Sequence, residues 1–117
     1  MEVDVLFAGV AVCDLAAAAP FYERLLGRPP DVVVHEGEVM WQVAAAGWLY
    51  VVTDPARAGR ALVSLAVGDL DAAVAGASAR GVDPSATETV AGAGRKASYT
   101  DPDGNRVALI EVEEPAH

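Results

Sequence analysis

The chain has 117 residues, and 53% of them are hydrophobic, which is enough to build one ordinary domain around one core. The formal net charge of −9 disfavours nucleic acid and anionic membrane surfaces as partners. No apolar stretch is long enough to span a membrane, and a single cysteine excludes an internal disulfide. The acidic residues Glu2 and Asp4 are unlike the basic start of a signal peptide, so we expect a cytoplasmic protein in which residues 1–117 form a single domain.

The first half of the chain predicts a strand, a helix and three further strands. Alternating apolar residues predict the first strand over 5–12, and Asp14 is placed to cap a helix that ends at Gly27. Pro20 would remove a hydrogen bond inside this helix, so we expect a loose turn over 14–19 and a regular helix from Pro20. Three short strands are then predicted at 31–34, 39–44 and 48–53.

The second half repeats this order. Val67-Gly68-Asp69-Leu70 repeats Val12-Cys13-Asp14-Leu15 about 55 residues later, and Asp69 is again placed as a helix cap. Its strands are predicted at 61–67, 85–90, 95–100 and 106–112. Each half is therefore a βαβββ module, the first over about 4–53 and the second over about 61–113, with a linker at 54–60. Because a module of this size buries little core alone, we expect the two to pair and share a cleft.

Three blocks of sequence in this frame resemble the vicinal oxygen chelate superfamily, which contains the glyoxalases, bleomycin-resistance proteins and ring-cleaving dioxygenases. The blocks are Asp14-Leu15 with Phe-Tyr-Glu-Arg-Leu-Leu-Gly at 21–27, Asp-Leu-Asp-Ala-Ala at 69–73, and Asp-Pro-Asp-Gly-Asn at 101–105. The resemblance implies an α+β fold in which two tandem βαβββ modules form curled mixed sheets around a cavity, commonly within a dimer. We therefore expect a homodimer, in which each cavity forms either within one chain or between two.

Metal-dependent members of this superfamily carry His or Glu at four strand positions that face the cavity. The resemblance places these positions at Phe7, Tyr50, Leu62 and Ala108, none of which offers a usual ligand atom for a divalent metal. A register shift of one residue gives Ala8, Val51, Val63 and Leu109, which are no better. We therefore predict no metal site and no cofactor.

Other reactive side chains are few. His35, Glu36 and Glu38 form one further candidate cluster for a metal or a base, which we interpret as a solvated turn. Cys13 precedes a capping aspartate and is interpreted as a small strand-end residue, and Ser64 has no histidine to activate it, so no catalytic residue is predicted.

Aromatic side chains in the first module instead favour a binding cavity. Trp48 and Tyr50 share one strand face, whereas Trp41 lies either in the cavity or in the core. We expect Gly9 and Ala108 to leave room for a ligand opposite them. The predicted ligand-binding residues are Phe7, Gly9, Trp41, Gln42, Trp48, Tyr50, Leu62, Ser64, Tyr99, Arg106 and Ala108. Arg95 and Lys96 are interpreted as a solvated pair that neutralises surface acids.

The leading hypothesis is a metal-free protein that sequesters a planar or extended apolar small molecule, such as a metabolite or an antibiotic. The alternative is a glyoxalase- or dioxygenase-type enzyme, with lyase or isomerase chemistry, that uses displaced metal ligands or a metal-free mechanism. A third possibility is a module whose main role is to pair with another chain, because its strand edges and apolar faces need cover.

Overall fold

A computed structural model describes residues 1–112 of the chain, so the predicted end of the second module at residue 113 lies outside the described residues. The first half contains β1 (Leu6–Val12), α1 (Leu15–Leu26), β2 (Val32–His35), β3 (Glu38–Ala44) and β4 (Gly47–Thr53). These strands form one sheet in the order β1-β4-β3-β2, in which β1 is parallel to β4 and the other pairs are antiparallel.

The second half builds the same arrangement. It contains β5 (Leu62–Ala66), α2 (Leu70–Ala79), β6 (Ala86–Val90), β7 (Gly94–Thr100) and β8 (Arg106–Val112). The sheet order is β5-β8-β7-β6, again with one parallel pair, β5 and β8, and antiparallel pairs elsewhere. The predicted α+β fold of two tandem βαβββ modules is confirmed, and each predicted strand agrees with the observed one to within one residue at either end.

Each helix begins at the aspartate that the repeat predicts. The Asp14 carboxylate accepts a hydrogen bond from the backbone N–H of Ala16 at 3.1 Å, and the Asp69 carboxylate accepts one from Ala72 at 3.0 Å. Gly27 ends α1 with φ of +81°, in the left-handed region where a glycine carries no steric cost. Within residues 1–112, no helix is long and apolar enough to cross a membrane.

The prediction that α1 starts only at Pro20 is wrong. The helix runs without a break from Leu15, with Pro20 inside it. Proline removes the hydrogen bond that would reach the Ala16 carbonyl, but Ala16 and Pro20 are both exposed, so water can satisfy that carbonyl. The buried residues of the first turns, Leu15 and Ala18, supply the packing that keeps the segment helical.

One side of each sheet packs against the helices, and the two modules share a single core. Val10 and Leu49 of the first sheet belong to the same buried cluster as Val107 and Leu109 of the second. We call this the helix-facing side of each sheet. The opposite side of each sheet, which no helix covers, is called the open face.

A buried polar network in the turn between β7 and β8 joins the modules. The Asn105 side chain is fully buried, and its amide donates to the carbonyl of Ala11 in β1 at 2.8 Å and to the Asp101 carboxylate at 2.9 Å. Its oxygen accepts a hydrogen bond from the N–H of Ala61, before β5, at 2.8 Å. The Tyr22 hydroxyl of α1 donates to the same Asp101 carboxylate at 2.7 Å. One short turn therefore bonds β1, α1 and the start of the second module.

We expect Asn105→Ala to lower the free energy of unfolding by roughly 2–4 kcal/mol, because it leaves buried hydrogen-bonding groups without partners on both modules. Urea unfolding measures this change. Asp103→Asn, in the same turn but retaining an acceptor for the Cys13 N–H, is the matched control and should stay within about 0.5 kcal/mol of the wild type. A loss in Asn105→Ala no larger than that of the control would contradict the assigned role.

Candidate functional site

The open faces gather most of the residues predicted to bind a ligand. Strand pairing sets Phe7 beside Trp48, Gly9 beside Tyr50, and Gln42 beside Trp48 on the first sheet. On the second sheet it sets Leu62 beside Arg106 and Ser64 beside Ala108. The members of this group lie on two faces of the molecule: Phe7, Gly9, Gln42, Trp48 and Tyr50 on the first, and Leu62, Ser64, Arg106 and Ala108 on the second.

The first open face is an aromatic wall. The rings of Phe7 and Trp48 stack at 21° with centroids 6.3 Å apart, and Phe7 remains 52% exposed. The Gln42 side chain is oriented next to Trp48 by donating to the Ala45 carbonyl at 3.1 Å. The exposed Phe7 ring and the half-buried Trp48 ring stacked against it present flat apolar area to a ligand.

Tyr50 occupies the space that Gly9 leaves. A β-carbon built on Gly9 would lie only 2.7 Å from Cε2 of Tyr50, closer than unbonded carbon atoms approach. The tyrosine ring therefore lies over the glycine, and the glycine makes room for that ring. The expectation that Gly9 leaves space for a ligand is corrected in this respect, since Tyr50 already fills it.

The centre of the second open face is built from short side chains, and Val90, Ile110 and Val112 add aliphatic groups at one end. Ser64, Ala108 and Ser98 form one cross-strand row, next to a row in which Arg106 lies between Leu62 and Thr100. Leu62 is 82% exposed and is the largest apolar group of this row. The two modules thus share a fold but present different surfaces, one with stacked aromatic rings and one with short polar side chains at its centre.

Trp41 and Tyr99 lie on the helix-facing side instead. Both are fully buried, and the Trp41 indole N–H donates to the Arg28 carbonyl at 3.0 Å. The Tyr99 hydroxyl has no hydrogen-bond partner among the described residues, and burial raises the pKa of this phenol, which keeps it neutral. A ligand on the open faces does not reach either ring, so both are left out of the site proposed below.

The donor groups on the open faces do not fit a divalent metal. The four positions that the superfamily resemblance implies carry a benzyl ring, a phenol, a hydrocarbon and a methyl group, at Phe7, Tyr50, Leu62 and Ala108. Over residues 1–112, no three His, Cys, Asp or Glu side chains come together in a group that could hold an ion. His35 instead accepts the Gly37 N–H through Nδ1 at 3.0 Å, which is the bonding of a turn.

Cys13 is exposed but is not an activated nucleophile. Hydrogen bonding to the Asp103 carboxylate raises the pKa of its thiol, which lowers the thiolate fraction at neutral pH. The arrangement is the opposite of the electropositive setting that reactive cysteines need.

Arg95 and Lys96 are engaged by acids, as interpreted from the sequence. Arg95 bonds Asp71 at 2.9 Å and Glu111 at 2.8 Å, and Lys96 lies 3.3 Å from Glu88. Glu111 also accepts the N–H of Leu70 at the start of α2. These groups tie α2 to its sheet.

The two open faces do not close on each other within one chain. The described strands form two separate sheets, with no hydrogen-bonded pair between them. The shared core lies between their helix-facing sides, which leaves Phe7 and Leu62 exposed on opposite modules. Each face is therefore open to solvent in the single chain.

Comparison with known proteins assigns the family. The model of the Glyoxalase/Bleomycin resistance protein/Dioxygenase superfamily matches residues 5–109, and the chain belongs to this superfamily. No curated protein is similar enough in sequence to count as a match.

Solved structures share the fold over nearly the whole chain. A glyoxalase/bleomycin resistance protein from Catenulispora acidiphila is 47% identical, with a TM-score of 0.91 over 95% of this chain and 100% of that one. The antibiotic-binding protein TnmS3 from Streptomyces sp. is 27% identical, with a TM-score of 0.72 over 96% and 98% of the two chains. A bleomycin-binding protein in complex with bleomycin is 22% identical, with a TM-score of 0.72 over 97% and 100%, and shows the likeness of fold alone.

Proposed function

We propose that the protein binds a planar or extended apolar small molecule, such as an antibiotic or metabolite, and sequesters it without a metal, a cofactor or a catalytic step. The observation that carries this proposal is the stacked pair of an exposed Phe7 and a half-buried Trp48, on a face that no helix of the described chain covers. TnmS3, which shares the fold at 27% identity, is described as an antibiotic-binding protein, and this supports the same class of function here.

Affinity would come from removing apolar area from water. Flat rings of the ligand and of Phe7 and Trp48 would lose contact with water together, at about 25 cal/mol per Å² before the costs of association. Gln42, Ser64 and Arg106 would orient the ligand through its polar groups. Tyr50, Leu62 and Ala108 would contribute the remaining surface.

The cavity would be completed by a second copy of the chain. Both open faces of one chain carry an exposed apolar group, Phe7 (52%) on the first and Leu62 (82%) on the second. An isologous two-fold contact brings the first open face of one copy against the second open face of the other, and it covers both at once. Each of two equal cavities would then have one aromatic wall and one polar wall. We propose that residues 1–117 act as one domain in this homodimer.

We expect Trp48→Ala to weaken binding of anthracene-2-carboxamide, a neutral planar probe, by roughly 1–3 kcal/mol, since an aromatic contact is lost. The probe's own fluorescence reports the affinity. Stability in urea should fall by less than the 3–5 kcal/mol typical when a packed core aromatic is deleted.

Trp41→Phe is the matched control, because this residue lies in the core. It should lower stability and leave the affinity for the probe unchanged. A Trp48→Ala variant that loses stability but binds as the wild type would place Trp48 in the core and overturn the assignment. A wild type with no measurable affinity for the probe would count against the binding function itself.

The absence of a metal is tested separately. Protein purified without chelator and then dialysed against zinc, nickel, iron or manganese salts should hold far less than one ion per chain by elemental analysis, because the open faces lack ligands. Near-stoichiometric metal that is lost on substitution of open-face residues would contradict the proposal and favour an enzyme.

A further inference from the structure

We propose that the ligand carries an acidic group, such as a carboxylate, and that Arg106 binds it. This inference rests on the proposed binding function and adds the chemical class of the ligand. The observations that carry it are the position of Arg106, the pairing of the charges around it and the distribution of cations between the two open faces.

Arg106 lies on the second open face with its guanidinium uncommitted. It is the first residue of β8, is exposed, and has Leu62 and Thr100 as cross-strand neighbours. Its side chain makes no hydrogen bond or salt bridge with any residue from 1 to 112. Arg28, Arg57 and Arg95 each bond a carboxylate, and Arg80 bonds backbone carbonyls of α1. Arg24 and Arg60 also lack a carboxylate partner among residues 1–112, but neither lies on a strand of an open face.

Glu88, the carboxylate on a strand of the same face, is already paired with Lys96 and lies at the opposite end of the face from Arg106. Glu88 is 3.3 Å from Lys96, and strand pairing aligns both with Ile110. Ile110 is four residues along β8 from Arg106, or roughly 13 Å at the rise of an extended strand. The end of the face that Arg106 occupies therefore carries a positive charge that no carboxylate among residues 1–112 pairs, in a chain of net charge −9.

The neighbouring row leaves the guanidinium accessible. Ser64, Ala108 and Ser98 are all short, so no side chain of that row covers Arg106. The planar fork of an arginine matches a carboxylate with two parallel hydrogen bonds, and the hydroxyl of Ser64 can add a neutral donor. This half of the site is thus built to hold an anion.

Within the described part of the chain, no lysine or arginine occupies a strand position of the first open face. Its aromatic and apolar groups are accompanied by one charged residue, Glu38, which lies 3.8 Å from His35 at the far turn. In the proposed dimer, the aromatic wall of one copy faces the Arg106 wall of the other. A flat apolar body with an acid at one end fits both walls, whereas a cationic ligand meets Arg106 unfavourably.

The test compares two probes that differ in one charge, anthracene-2-carboxylate and anthracene-2-carboxamide. The wild type should bind the carboxylate roughly tenfold more tightly than the amide, since a hydrogen bond to a charged group is the stronger one. Arg106→Gln should reduce this preference to within about twofold, because it weakens binding of the carboxylate more than binding of the amide. Added salt should shrink the wild-type preference.

Arg24→Gln is the matched control, because it removes the same charge from an exposed position on α1 and should keep the tenfold preference. Equal affinity for the two probes in the wild type, or a preference for the amide, would overturn the inference and leave the binding function standing. Failure of both probes to bind would overturn both. Loss of the dimer in Arg106→Gln by sedimentation would show that the guanidinium bonds the second copy, which also overturns the inference.

Discussion

The buried hydrogen-bond network of Asp101 and Asn105 is the constraint on which the rest of the structure depends. A buried amide and carboxylate are costly unless every polar atom finds a partner, and here the partners come from both modules. The Asn105 amide group bonds Ala11 in β1 and Ala61 before β5, while the Tyr22 hydroxyl reaches Asp101 from α1. Burial and this bond to Asp101 raise the pKa of Tyr22, so the phenol stays protonated and keeps its role as donor.

This network fixes which sides of the modules face each other. With β1, α1 and the start of β5 bonded to one turn, the helix-facing sides of both sheets enter one core. Both open faces are then directed to solvent, where Phe7 and Leu62 remain exposed. The surface that binds a ligand in our proposal is therefore a consequence of how the modules are joined.

Duplication of the module allows the two halves of the site to differ. Equivalent strands carry stacked rings at Phe7 and Trp48 in the first module and a row of Ser64, Ala108 and Ser98 in the second. The core needs both modules to keep their helix-facing residues, but it places no such demand on the open faces. One face could therefore become aromatic and the other cationic without a change of fold.

The sequence predicted the elements well because their signals are local. Aspartate caps, turn glycines and the repeat itself set the starts and ends of strands and helices, and the superfamily resemblance supplied their arrangement. The prediction that α1 starts at Pro20 was wrong because the cost of a proline in a helix depends on whether the carbonyl it leaves unbonded can reach water. The exposure of Ala16 decides this, and exposure is a tertiary property that the local sequence does not give. The expectation that Gly9 leaves room for a ligand failed because the Tyr50 ring from the neighbouring strand fills that space, and only the structure shows this.

The sides of the sheets on which Trp41 and Tyr99 lie were harder to predict. The alternating pattern of a strand shows which residues share a side, but it does not show which of the two sides is buried. In β3, apolar residues occupy both faces around Trp41, so the pattern gives no preference. In β7, Tyr99 lies on the same buried side as Ala97, whereas its neighbour in sequence, Ser98, lies on the open face. An error of one residue in the predicted register therefore moves Tyr99 from one side of the sheet to the other.

The central claim is that each binding site joins the first open face of one chain to the second open face of another. Mixing two variants, each defective in one of the two faces, tests it most directly. One variant is Trp48→Ala, which removes a ring from the first open face. The other is Ser64→Trp, whose large side chain fills the second open face. Alone, each variant should bind anthracene-2-carboxamide roughly tenfold more weakly than the wild type. After subunit exchange, one intact site per mixed dimer should appear, about a quarter of the wild-type number of sites at wild-type affinity. Mixed dimers that form but recover no such site would contradict the account.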